Sequence, residues 1–227
     1  MTDGLFVARM ARLLGAMGMA CGLAGIMASP ASAHPHVWVD VASEVAFDEE
    51  GRIIALRHHW RFDAAFSAYA TQGLDTDGDG RMTAGELKPL AEVNVSSLAE
   101  FDYFTDLTAG GEPVELGQPE DYWLQPDGDR LILHFTLPLK EPLAAQAPVV
   151  LDVYDPEYFV AFSLPSEEAV RLVEAPEACQ LTVTLGEEPD ASAAAMLATI
   201  GVDQRELPAE LKALTIGTEN SARIECR

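Results

Sequence analysis

The sequence predicts an α+β fold, mainly antiparallel β and sandwich-like, with one helix–loop–helix insert. Three observations predict it. Apolar and polar residues alternate along short runs separated by turn residues, which is the period-2 pattern of half-buried strands. Two neighbouring stretches, within about 62–100, switch to helical spacing, and the twelve residues between them are crowded with Asp and Gly. Finally, 48% of the 227 residues are hydrophobic, enough for a real core. The formal charge is −23, from 37 acidic and 14 basic side chains. That balance argues against nucleic acid and anionic membrane surfaces, which need clustered Lys and Arg, and it suits a chain that meets cations.

Residues 1–33 read as a secretory signal peptide. Arg9 and Arg12 form the positive region, Leu13 to Met27 the apolar stretch, and Ala31-Ser32-Ala33 the small-residue cleavage site. An apolar stretch of about 15 residues is too short to span a bilayer. Cys21 follows Gly18-Met19-Ala20, a poor signal for lipid attachment. Cleavage after Ala33 leaves one domain, 34–227, with 12 basic and 36 acidic side chains and a net charge of −24. The expected location is the periplasm. Two cysteines remain, Cys179 and Cys226, and an even pair in an exported chain most simply forms one disulfide. A thiolate metal pair is the competing reading.

Val37, Val39, Val41, Val45 and Phe47 alternate with polar residues, predicting a strand. Asp48-Glu49-Glu50-Gly51 turns the chain, and Arg52 to Phe62 returns as a second strand. Tyr103 to Leu107 and Pro113 to Leu116 flank Gly110-Gly111. Asp121 to Gln125 and Leu131 to Leu137 flank Asp127-Gly128, a hairpin turn signal. Pro138, Pro142 and Pro148 punctuate a loop. Val149 to Tyr154, Tyr158 to Leu164, Val170 to Val173, Gln180 to Leu185 and Ala222 to Cys226 read as further strands, and regular short strands of this kind suggest an antiparallel sandwich. Helices are expected over Ala64 to Leu74, Ala84 to Leu98 and Ala191 to Ile200.

The loop between the first two helices runs Asp75-Thr76-Asp77-Gly78-Asp79-Gly80-Arg81-Met82-Thr83-Ala84-Gly85-Glu86. It matches an EF-hand calcium loop. Asp75, Asp77 and Asp79 supply carboxylates at positions 1, 3 and 5, and Gly80 permits the sharp turn. Arg81 offers its backbone carbonyl, Thr83 stands at position 9, and Glu86 closes the site bidentately. Thr83 and Glu86 also spell a capping box for the outgoing helix. Ca²⁺ is hard and takes six to eight oxygens, whereas four carboxylates in one short loop repel each other without a cation. The alternative is an ordinary acidic turn. There is no second loop, and Gly73 and Pro89 weaken the flanking helices. An unpaired site of this kind binds in the range of roughly 10⁻⁴–10⁻³ M, as extracellular modules do.

The mature chain would begin His34-Pro35-His36-Val37-Trp38. A terminal His can chelate through its amine and ring, and imidazole suits Zn²⁺, Cu²⁺ and Ni²⁺. His34 and His36 are therefore candidate transition-metal ligands. His58 alternates with Ile54, Leu56, Trp60 and Phe62 and reads as a packed histidine. His59 shares the other face with Arg57 and Arg61, and His134 reads as an ordinary sheet residue. No nucleophile elbow, metalloprotease helix or phosphate loop is present, so the sequence offers no support for an enzyme.

Several stretches together resemble the family of uncharacterised bacterial exported proteins known as domain of unknown function one thousand and seven. They are His34 to Asp40, Trp60-Arg61-Phe62-Asp63, Asp75 to Glu86, Phe101 to Thr105 and Val153 to Phe162. Cys179 and Cys226 fall where that family places its late cysteines. Members are described as periplasmic components of an ABC-type transport system and are often encoded near nickel or cobalt permeases. The resemblance therefore implies divalent transition-metal handling, extends the candidate ions to Co²⁺, and points to a metal permease or ABC-type transporter as partner. The expected function is a periplasmic calcium-binding accessory protein linked to transition-metal transport. The alternatives are a copper-handling sandwich with an N-terminal histidine site, and a calcium-stabilised interaction module with no transition metal.

Overall fold

Period-2 alternation turns one side of each strand inward, and two such sheets bury those sides against each other. The computed structural model describes residues 35–200 and 206–227. The expected signal peptide and His34 lie outside the described residues. In the first sheet, β1 (Val37–Phe47) pairs with β2 (Arg52–Phe62), which pairs with β6 (Arg130–Ala144), and β6 carries β5 (Glu120–Asp127) at the edge. On its other side β1 is flanked by β8 (Val160–Ser163) and β9 (Val170–Val173). The second sheet runs β10 (Cys179–Thr184), β11 (Asn220–Cys226), β7 (Val149–Val153), β3 (Thr105–Ala109) and β4 (Glu112–Pro113). The fold is thus α+β and β-rich, as expected, with antiparallel pairing in most of both sheets.

The core follows the alternation. Val39, Val41 and Val45 from β1, Leu56 and Trp60 from β2, and Leu133, Phe135 and Leu137 from β6 face Leu107, Leu151 and Ile224 from the second sheet. Trp60 is 1% exposed, and its ring meets Phe135 edge-on at 4.9 Å. Burial of such side chains contributes about 1.5–3 kcal/mol each. Leu87, Ala91 and Val95 of the helix Ala84–Leu98 belong to the same core cluster.

Five local expectations are corrected. First, β8 and β9 lie parallel to β1. The chain reaches β8 from β7 in the opposite sheet, not through a hairpin, so no tight turn imposes antiparallel pairing. Second, an irregularity in the β2–β6 register between Ile53 and Ala55 buries Ile53 and leaves Ile54 half-buried, so Ile54 does not share the face of Leu56 and His58. Third, β6 continues to Ala144 through Pro138 and Pro142, with Pro138 opposite Ala55 at that irregularity, where a missing amide donor is tolerated. Fourth, the first helix stops at Ala70 and not Leu74, and Gly73 follows it at φ +77°. Fifth, Asp102, Tyr103 and Phe104 have φ of +48°, +56° and +47°, so the strand expected from Tyr103 begins at Thr105. Three successive left-handed residues without glycine are held against a cost of roughly 1–2 kcal/mol each. The burial of Tyr103 in the core is one restraint that holds them.

Cys179 and Cys226 stand opposite each other on β10 and β11 and form the expected disulfide. Among the described residues, no helix is long and apolar enough to cross a membrane.

Candidate metal centre

The insert is anchored at its entrance by one carboxylate. Asp63 caps helix α1 (Ala64–Ala70) by accepting from the Phe66 amide at 2.9 Å, and its other oxygen accepts from the Trp38 amide of β1 at 3.0 Å. Inside α1, the Ser67 hydroxyl accepts from the Leu131 amide at 3.0 Å, which ties the helix to β6. At the exit, helix α2 (Ala84–Leu98) begins with the expected capping box, in which Thr83 and Glu86 bond reciprocally. Pro89 lies inside α2, and the helix persists because its Leu87, Ala91 and Val95 stripe is buried. Both ends of the loop are thereby fixed to the sandwich.

Between them the acidic side chains fold back over the loop backbone. Asp75 accepts from the Gly78 amide at 2.7 Å and, through its second oxygen, from the Gly80 amide at 2.9 Å. Gly78 and Gly80 both have positive φ, +72° and +78°, a conformation that side chains with a Cβ resist. Glu86 reaches across the loop. One of its oxygens accepts from the Thr76 amide at 2.7 Å and the Thr76 hydroxyl at 2.9 Å. The other accepts from the Thr83 amide at 3.0 Å and the Thr83 hydroxyl at 2.8 Å. The Thr83 and Thr76 amides, followed by the two hydroxyls, stabilise the carboxylate and lower the Glu86 pKa to about 2.

One oxygen each from Asp75, Asp77 and Glu86 lies within 4.8 Å of the others. Oxygens bound to one Ca²⁺ at 2.3–2.6 Å stand at most about 5 Å apart, so this separation suits an ion of that size. The other loop residues stand differently. Asp79 is outside that group and accepts from the Arg81 amide at 2.7 Å. Arg81 is exposed, and the Thr83 side chain is engaged in the capping box. Met82 is half-buried against the core, as the apolar position in the loop requires.

Of the histidines, His36 is half-buried, with its ring 4.5 Å from that of Phe159 and its amide donating to the Phe159 carbonyl at 2.8 Å. His58 is completely buried, as its alternation with Leu56 and Trp60 implied. The Ser43 hydroxyl meets its Nδ1 at 2.8 Å, and desolvation, aided by the neighbouring His59, pushes its pKa down to about 3. His134 is a sheet residue of β6, as expected. It stands opposite His59 on β2, with the two Nδ1 atoms 2.6 Å apart. Alternation placed each residue on the outer face, but only the β2–β6 register brings them together, and that register is not written in either strand alone.

A family model described as "Protein of unknown function (DUF1007)" matches residues 19–226. An "Uncharacterized protein" of Haemophilus influenzae is 26% identical over 152 residues, covering 65% of this chain and 71% of that protein. An "Uncharacterized 15.5 kDa protein in trpE 3'region" of Spirochaeta aurantia is 28% identical over 85 residues, covering 37% of this chain and 61% of that protein.

Proposed function

The chain belongs to the DUF1007 family, whose description leaves the activity open, and we propose that it is an exported, calcium-binding accessory protein serving divalent transition-metal transport. The observation that carries the calcium half is the convergence of Asp75, Asp77 and Glu86 oxygens within 4.8 Å at EF-hand positions 1, 3 and 12. An EF-hand loop held on a rigid insert acts as a brace. Without an ion, hydrogen bonds to loop amides and to the Thr76 and Thr83 hydroxyls oppose the repulsion among its carboxylates. With one, the ion joins the two ends of the insert. Support for export comes from the signal-like residues 1–33 and from the disulfide, which persists in oxidising compartments. The transition-metal half rests on the family resemblance and on His34 and His36, with a metal permease or ABC-type transporter as the partner that receives or supplies the ion.

A ligand that binds only the folded state raises its stability. Calcium should therefore raise the melting temperature of the wild type and leave Glu86→Gln nearly unmoved. An equal calcium response in both proteins overturns the assignment.

A further inference from the structure

The outer face of the first sheet holds a second group of metal-ligating side chains, away from the calcium loop and from the N-terminus. His59 on β2 and His134 on β6 are direct cross-strand neighbours. Their Nδ1 atoms lie 2.6 Å apart, so between two neutral rings one nitrogen donates and the other accepts. Each ring is held from behind. Trp123, opposite His134 on β5, stacks flat on the His134 ring, with centroids 4.4 Å apart and planes 6° from parallel. Glu44 on β1 places a carboxylate oxygen 3.8 Å from Nε2 of His59, and the side chain of Glu44 is only 12% exposed. The same carboxylate is paired with Arg171 and Arg57, which fixes its position. Nε2 of His134 is buried, with no hydrogen-bond partner among the described residues.

We infer that His59 and His134 form a two-imidazole site on the outer face of the first sheet for a divalent transition metal of the nitrogen-preferring class, Cu²⁺, Ni²⁺ or Zn²⁺. The ion replaces the proton between the rings. That proton moves to Nε2 of the ring that carried it, and both Nδ1 lone pairs then point at one centre with no net proton released. Nitrogens bound tetrahedrally at 2.0–2.1 Å lie about 3.3 Å apart, so the rings must separate by about 0.7 Å. A carboxylate on the far nitrogen of a ligating histidine is the usual way its tautomer and orientation are set, and Glu44, 3.8 Å from that nitrogen, would do this for His59 by closing to hydrogen-bond distance. Burial, opposed by Glu44 at His59 and reinforced by the neighbouring His59 at His134, holds both pKa values below the ordinary imidazole range. Two protein ligands leave the remaining positions to water or to another protein, which suits an ion carried and passed on more than one locked in place.

This inference deepens the transition-metal half of the proposed function and is independent of the calcium half. The test uses the full mature chain with saturating calcium, and Ni²⁺ and Zn²⁺ as probes in calorimetric titrations. His34→Ala/His36→Ala should still bind one equivalent. In that background His59→Gln and His134→Gln should each weaken binding more than about tenfold, and Glu44→Gln by roughly 10-fold, the lower end for an orienting partner, whereas unchanged affinity in both histidine variants overturns the site. The calcium-dependent melting temperatures of these variants report whether they fold. Should the histidine variants be unstable, ring-nitrogen NMR on the wild type serves instead, where Zn²⁺ should shift Nδ1 of both His59 and His134. Binding lost in His34→Ala/His36→Ala overturns this site but keeps the transition-metal reading. Absence of Ni²⁺ and Zn²⁺ binding by the wild type overturns both.

Discussion

Acid should destabilise this fold through His58. His58 is fully buried between Ser43 and the aromatic rings of Trp60 and Phe135, and its pKa falls from 6.5 to about 3. Between those values the unfolded chain carries a proton on this ring that the folded chain does not, so stability falls as pH drops through the window. The loss from pH 7 to pH 4.5 comes to roughly 2–3 kcal/mol. The perturbation is His58→Leu. At pH 7 this variant forfeits the bond to the buried Ser43 hydroxyl and should be less stable by about 1 kcal/mol. At pH 4.5 it no longer has a proton to exclude and should be more stable than the wild type by about 1–2 kcal/mol. The two stability curves therefore cross. Urea unfolding in EDTA, which removes any calcium linkage, measures both proteins at both pH values. Equal losses in the two proteins would refute the assignment of His58 as the acid-sensitive group.

Other outcomes follow from the same structure. Removing the disulfide with Cys179→Ala/Cys226→Ala opens a loop with a sequence separation of 47 and should cost about 4 kcal/mol, read as a fall in the urea midpoint without reductant. Thr83→Ala breaks the capping box of α2 and should cost about 1 kcal/mol, measured by thermal unfolding followed at the helical far-UV signal. Leu133→Ala, at a fully buried position where β6 meets the core, should cost about 2–5 kcal/mol by the same unfolding measurement and leave calcium binding intact once calcium is added in excess.

Local patterns were legible wherever one strand or one loop contains its own instructions. The alternation from Val37 to Val45 reports burial directly, because every second side chain there is buried. The loop from Asp75 to Glu86 is equally local, since its capping box and its hydrogen bonds to loop amides join residues no more than ten apart. What escaped depends on distant partners. The Ile53/Ala55 irregularity exists only against β6, and it reversed the expected face of Ile54. The parallel placement of β8 and β9 comes from a crossover between sheets, and turn residues carry no signal for that. His59 and His134, 75 residues apart, became neighbours through strand register. The left-handed turn at Asp102 to Phe104 was hidden for a different reason. It contains no glycine, and tertiary packing of Tyr103 overrides the local preference.

The central claim is one calcium ion per chain, held by the 75–86 loop. Calorimetric titration of the purified, correctly processed wild type with calcium chloride tests it most directly, with Asp75→Asn run alongside. The expected result is one site per chain, with a dissociation constant of roughly 10⁻⁴–10⁻³ M in the wild type and at least about tenfold weaker binding in Asp75→Asn. No binding at several times that concentration, or binding of equal strength in the two proteins, contradicts it.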